Sequence, residues 1–238
     1  SPEHADEATT TSPSAAYNDP YISLQHGFSA IDAGAAQHWA SGAGVRVALI
    51  DTGVDAKHPD LAGRITAQRD FVTSSADAPD LDRHGTEVAG VIAAVANNRL
   101  GIVGVAPRVR VLSYRACWPT QANADAARCN TFTLAQALGA AIASGADIIN
   151  LSLGGPRDPL LEQLAGYAVK HGSIVVGAVP PNGRMDGFPV DVSGVIAVTS
   201  VEDPRASGAA VLAAPGRDIL TLEPGGHYDY ASGSSLAT

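Results

Sequence analysis

The chain has 238 residues, 45% apolar and 16% charged, with 15 Lys and Arg against 24 Asp and Glu for a formal charge of −9. That composition excludes a disordered chain, and the acidity argues against a nucleic-acid binder, which needs a basic face. No apolar run approaches the ~18 residues of a membrane span.

In chain order, residues 1–17 are Ser-, Thr-, Ala- and Pro-rich without apolar periodicity and read as a flexible arm, which leaves 18–238 as one domain. A chain opening at Ser1, with no initiator Met and no signal-like apolar region, reads as a processed or trimmed product. Val45–Ile50 is the first strand, closed by Asp51-Thr52-Gly53. After His84, the positions Val88, Val91, Ile92 and Val95 line one side of a helix. A strand at Arg108–Tyr114, a helix at Thr133–Ser144, a strand at Asp147–Leu153 and a helix at Leu160–Lys170 follow. Ser173–Val179 is almost continuously apolar, as a strand buried on both faces must be. Gly194–Ser200 and Ala209–Ala214 complete the strands. Alternating strands and helices predict an α/β layering, with helices on both faces of a mostly parallel sheet. Cys117 and Cys129, the two cysteines, are too few for a disulfide framework; they are either unlinked thiols or the ends of one local loop.

In such a sheet, functional groups gather beyond the carboxyl ends of the strands. Asp51 stands there, although a turn Asp would stand there too. His84 opens a helix beside Gly85, and Ser235 lies in a small-residue run able to open another, whose free N–H groups favour an anion. A hydroxyl nucleophile needs a base, and the base an orienting carboxylate. The order Asp, His, Ser is one of the three chain orders in which that triad occurs.

Four segments carry a resemblance. VALIDTGVDAKHPDL (47–61), RHGTEVAGVIAA (83–94), INLSLGG (149–155) and ASGSSLAT (231–238) resemble the aspartate, histidine, substrate-binding and serine motifs of the subtilisin-like serine proteases, in register from about Asn18 to the last residue. The resemblance implies a subtilisin-like three-layer sandwich and a secreted or periplasmic, monomeric serine endopeptidase. Asp51, His84 and Ser235 would be catalytic. An extended polypeptide substrate would add as a strand along Leu151, Ser152, Leu153 and Gly154. Export favours a Cys117–Cys129 bridge. NNRLGIVGVAP (97–107) resembles the family's calcium loop and NDPY (18–21) the amino-terminal segment of one branch. Asp19, Asp60, the Asn98 side chain and the carbonyls of Leu100 and Ile102 would then hold structural calcium.

Two departures accompany it. The family follows its next strand with a small-residue run and Asn-x-Gly, whose Asn helps hold the oxyanion. An ungapped count here puts Pro181 at that place, and only a one-residue shift puts Asn182 there. Proline has neither an N–H nor a polar side chain to donate. The family's serine also opens a long buried helix, whereas three residues follow Ser235 here, so a displaced or mobile Ser235 is expected. The alternative function is a pseudoprotease that keeps the peptide groove and catalyses poorly. A nucleotide-binding domain lacks its phosphate loop, since Gly42-Ala43-Gly44 precedes the first strand, and His84-Gly85-Thr86-Glu87 is not a zinc-protease motif.

Overall fold

The computed structural model describes residues 17–73, 83–120, 127–203 and 211–238. Nearly all of the predicted arm, and Ala209 and Ala210 of the last predicted strand, lie outside them. Two short helices, α1 (His26–Ala30) and α2 (Ala33–Gln37), precede β1 (Arg46–Asp51) and β2 (Ile65–Asp70). Then come α3 (Arg83–Ala93), β3 (Arg110–Arg115), the β4–β5 hairpin (Cys117–Pro119 and Ala127–Cys129), α4 (Thr131–Ala143), β6 (Ile148–Leu151) and α5 (Pro159–Lys170). β7 (Ile174–Ala178), β8 (Ile196–Ser200), β9 (Val211–Ala214), the β10–β11 hairpin (Ile219–Glu223 and His227–Ala231) and α6 (Ser234–Ala237) complete the order.

Seven parallel strands form the central sheet in the order β2-β3-β1-β6-β7-β8-β9. The expected mostly parallel α/β sheet is therefore present. β1 lies near its middle, and its alternate residues feed two cores, because successive strand side chains face opposite ways. Ala48 and Ile50 pack with Ile149 and Leu151 under Leu134 and Leu138 of α4 and Leu161 of α5. Val47 and Leu49 pack with Val88, Ala89 and Ala93 of α3 and with Leu220 and Leu222 of β10.

The helices start where local chemistry supplies a cap. The Asn130 side chain accepts from the Thr133 N–H, and Asp158 accepts from the N–H groups of Leu160 and Leu161, so α4 and α5 begin slightly earlier than the apolar pattern alone indicates. β6 ends at Leu151, the last residue paired with β7, earlier than the predicted Leu153. Ser152 to Gly154 thus lie beyond its ladder. The expected disulfide joins Cys117 to Cys129, which face each other across the β4–β5 hairpin.

Arg115, at the end of β3, fastens the sheet edge. Its Nη1 donates to Asp70 Oδ2 of β2 at 2.9 Å and its Nε to the Thr52 carbonyl after β1, also at 2.9 Å. Asp70 also accepts from the N–H groups of Val72 and Thr73 and from the Thr73 hydroxyl. Burial pushes its carboxyl up, but these hydrogen bonds outweigh burial and hold it below the ordinary carboxylate range. A depressed native pKa contributes stability above the unfolded value and loses it as pH falls through the native one. Asp70→Asn is therefore expected to cost about 2 kcal/mol at neutral pH. That cost fades below about pH 4, which urea denaturation of both proteins at several pH values measures.

Candidate active site

Asp51 is the last residue of β1 and is 4% exposed. His84 is the second residue of α3, and its Nδ1 lies 2.8 Å from Asp51 Oδ1. An ionised carboxylate only accepts, so Nδ1 is the donor in that contact and Nε2 is left as the basic atom of the ring. The same Asp51 oxygen takes the Thr52 N–H at 2.7 Å.

Local sequence explains the approach. The Gly85 N–H donates to Thr52 Oγ1 at 3.1 Å, and the Asp55 N–H to Thr86 Oγ1 at 2.9 Å. A Cβ on Gly85 would sit 2.0 Å from the Gly53 carbonyl oxygen. The Asp-Thr-Gly turn and the His-Gly-Thr helix start are thus one interlocked unit, and a glycine after the histidine is a steric requirement.

Ser235 stands in the first turn of α6. Its carbonyl oxygen lies 2.9 Å from Ser152 Oγ, and Ser234 Oγ donates to the Val179 carbonyl at 2.8 Å. Among the described residues no hydrogen bond joins Ser235 to His84. Asp51, His84, Ser152, Leu153 and Gly154 line one cleft of about 660 Å³, whereas Ser235 lines a separate apolar cavity of about 390 Å³ between α3 and the sheet. The structure brings Asp51, His84 and the open end of β6 together, and the Ser235 carbonyl meets Ser152 of that end. Leu151 is fully buried in the core, so only the residues after it reach the cleft.

Asn182 lies in an exposed turn closed by the Gly183 N–H on the Pro180 carbonyl, and its Oδ1 takes the Arg184 N–H at 3.0 Å. The small cavity beside Ser234 is lined by Pro181 and not by Asn182.

Asp19, Asp60 and Asn98 do converge. Asp19 takes the N–H groups of Asn97 and Asn98, and Asp60 takes the Asn98 amide at 2.6 Å, the Ile102 N–H at 3.0 Å and the Tyr228 hydroxyl at 3.3 Å. The Leu100 N–H returns to Asn98 Oδ1. Burial first, then the Asp60 charge, raise the Asp19 carboxyl against its N–H donors, while burial and Asp60 hold the Tyr228 hydroxyl far above its usual range. Among the described residues no cluster of three or more His, Cys, Asp or Glu is arranged to hold a metal, and no cationic side chain pairs with either carboxylate.

One group escaped the sequence reading. Arg83 Nε lies 2.6 Å from Glu87 Oε1 and 2.7 Å from Glu223 Oε1, tying the start of α3 to the hairpin that leads to Ser235. Burial raises the Glu87 carboxyl and Arg83 opposes it. Only the Arg83–Glu87 spacing was a readable signal; Glu223 reaches it through the fold.

The subtilase family profile matches residues 42–238. The chain is 42% identical over 205 residues to a thermophilic serine proteinase of Bacillus sp. strain AK1, covering 82% of this chain and 49% of that protein. It is 38% identical over 232 residues to thermitase of Thermoactinomyces vulgaris, covering 93% and 81%. It is 36% identical over 233 residues to an intracellular serine protease of Paenibacillus polymyxa, covering 90% and 69%. The chain thus spans about half the length of the first relative and most of the second.

Gly85→Ala is expected to wedge α3 away from the Asp-Thr-Gly turn. It should lower stability by about 3 kcal/mol in chemical denaturation and shift the His84 ring resonances that report the Asp51 contact.

Proposed function

The chain belongs to the subtilase family, and on that premise we propose that it is a serine endopeptidase cleaving extended polypeptides through an acyl-enzyme. The observation that carries the reading is the 2.8 Å contact of His84 Nδ1 with buried Asp51, which makes Nε2 the basic atom of the ring. In this reading Ser235 Oγ attacks the scissile carbonyl. His84 takes the serine proton and returns it to the leaving amine, and Asp51 orients the ring and stabilises its charged form. The Ser235 N–H, at the start of α6, is one oxyanion donor. The peptide lies along Ser152 to Gly154, beyond the buried Leu151, as an added strand.

A fluorophosphonate is expected to label Ser235 and nothing else, and Ser235→Ala or His84→Ala should abolish labelling and lower turnover by roughly 10⁴- to 10⁶-fold. Absence of labelling, with peptide still bound, supports the second reading, a poorly catalysing peptide-binding protein. The Asn182 turn favours that reading, because it stands exposed with its Oδ1 held by the Arg184 N–H, while Pro181 before it has no donor to offer. Pro181→Asn is then expected to raise turnover by up to roughly 100-fold, and Asn182→Ala to leave it unchanged.

Family members commonly bind calcium. Asp19 and Asp60 fit a hard cation: both are buried, both are carboxylates, and their only partners among the described residues are N–H and O–H donors. Asp19, Asp60 and the Asn98 side chain, with the carbonyls of Leu100 and Ile102, would hold the ion. It would supply the positive charge this pair lacks. Calcium at a hundred times its Kd adds about 2.7 kcal/mol, a rise of roughly 5–10 °C in Tm. Thermal scans with calcium and with chelator should show that rise in the parent and none in Asp60→Asn. The Cys117–Cys129 bridge supports export to an oxidising compartment.

A further inference from the structure

The cleft that holds Asp51 and His84 has a second wall, and it is the disulfide hairpin. Trp118, Arg128 and both cysteines line it opposite Leu153 and Gly154. Trp118 and Arg128 are directly paired across β4 and β5, so their side chains leave the hairpin on one face. The pair next to them is Cys117 with Cys129, and the covalent link fixes the register that presents indole and guanidinium together.

The charges around this cleft are unequally engaged. Asp51 is taken by His84. Asp158 accepts from the Leu160 and Leu161 N–H groups and from the Thr131 hydroxyl. Behind it, Arg157 is paired with Glu162 and Asp191. Arg115 is turned to Asp70 and Thr52 on the far side of β1. Arg128 alone among these charged groups has a side chain that makes no ion pair or hydrogen bond with any described residue. Leu134, Leu161 and Phe188 supply a buried apolar lining beside it, which weakens screening of a charge in the cleft.

Resting on the peptidase reading above, we propose that Arg128 is a specificity-determining residue that selects an acidic side chain in the stretch of substrate crossing the β4–β5 hairpin. The chemistry is an ion pair between the guanidinium and a substrate carboxylate, with Trp118 packing on the aliphatic part of that substrate residue. The chain as a whole carries −9 and repels acidic peptides at long range, so any acidic preference must come from a local cation such as this one.

The test is a set of hexapeptides with one cleavable bond, identical except for Glu, Gln or Lys placed in turn at each position flanking that bond. In the parent, kcat/KM at one position should favour Glu over Lys by about 5-fold or more, and the preference should shrink in 0.5 M salt. Arg128→Ala should remove the preference and Arg128→Glu invert it, with cleavage of the all-neutral peptide unchanged in both. Trp118→Ala should weaken all peptides alike and keep the Glu-to-Lys ratio. Neutral peptide cleaved at the parental rate with a ratio indifferent to Arg128→Glu overturns the specificity proposal and leaves the peptidase reading standing. Should no peptide be cleaved, competition binding of the same set reads the ratio. Failure of every peptide to bind overturns both.

Discussion

The contact on which the site depends is backbone against backbone. Gly85 lies so close to the Gly53 carbonyl that no side chain fits between them. Thr52 and Thr86 each add one hydrogen bond across the same seam. This seam sets the height of α3 above the end of β1, and that height sets the separation of His84 from Asp51. A hydrogen bond of 2.8 Å tolerates little error. Van der Waals contact between two main chains is therefore what places the imidazole, and the carboxylate then fixes its tautomer.

Two acidic clusters are handled differently. Glu87 and Glu223 share one guanidinium, that of Arg83, at 2.6 and 2.7 Å. Asp19 and Asp60 have amide and hydroxyl donors instead, including the Tyr228 hydroxyl of β11. His58 belongs to the second arrangement: the Asp60 N–H points at its Nδ1, so Nε2 carries the ring proton toward the His227 carbonyl. A neutral histidine can bridge the two main-chain groups in this way, and a protonated one has no acceptor to offer the Asp60 N–H. Both clusters end on the β10–β11 hairpin.

What the sequence made legible follows contact range. β1, α3 and the strands after them are continuous apolar patterns, and the Asp51, His84 and Ser235 motifs are short and local, so each could be read from its own residues. β2, Ile65–Asp70, reads poorly because its alternation is weak and it sits at the sheet edge, where one neighbour suffices. The β10–β11 hairpin was missed because three of the five β11 residues are exposed and its turn, through Gly225 and Gly226, stands at the end of a chain read for its serine. The disulfide was open from spacing alone, since two cysteines state no partner until a hairpin aligns them. Arg128 was invisible for the same reason: its role depends on what faces it across the cleft. The position of Ser235 depends on α6 and its neighbours, and no local pattern encodes that.

The hairpin that precedes Ser235 is bound to a turn made far earlier in the chain. Asp55 takes the Gly225 N–H, His58 meets the His227 carbonyl and Asp60 meets Tyr228, contacts spanning 170, 169 and 168 residues. Contacts of such long span form late, because the intervening loop must close before they return any energy. Asp51 and His84, only 33 residues apart, can come together well before. The order of assembly is then built into the topology: the Asp51–His84 pair forms with the sheet, and the hairpin that leads to α6 docks on a nearly finished body. A half-folded molecule then holds the imidazole against its carboxylate before the chain that carries Ser235 has a surface to rest on.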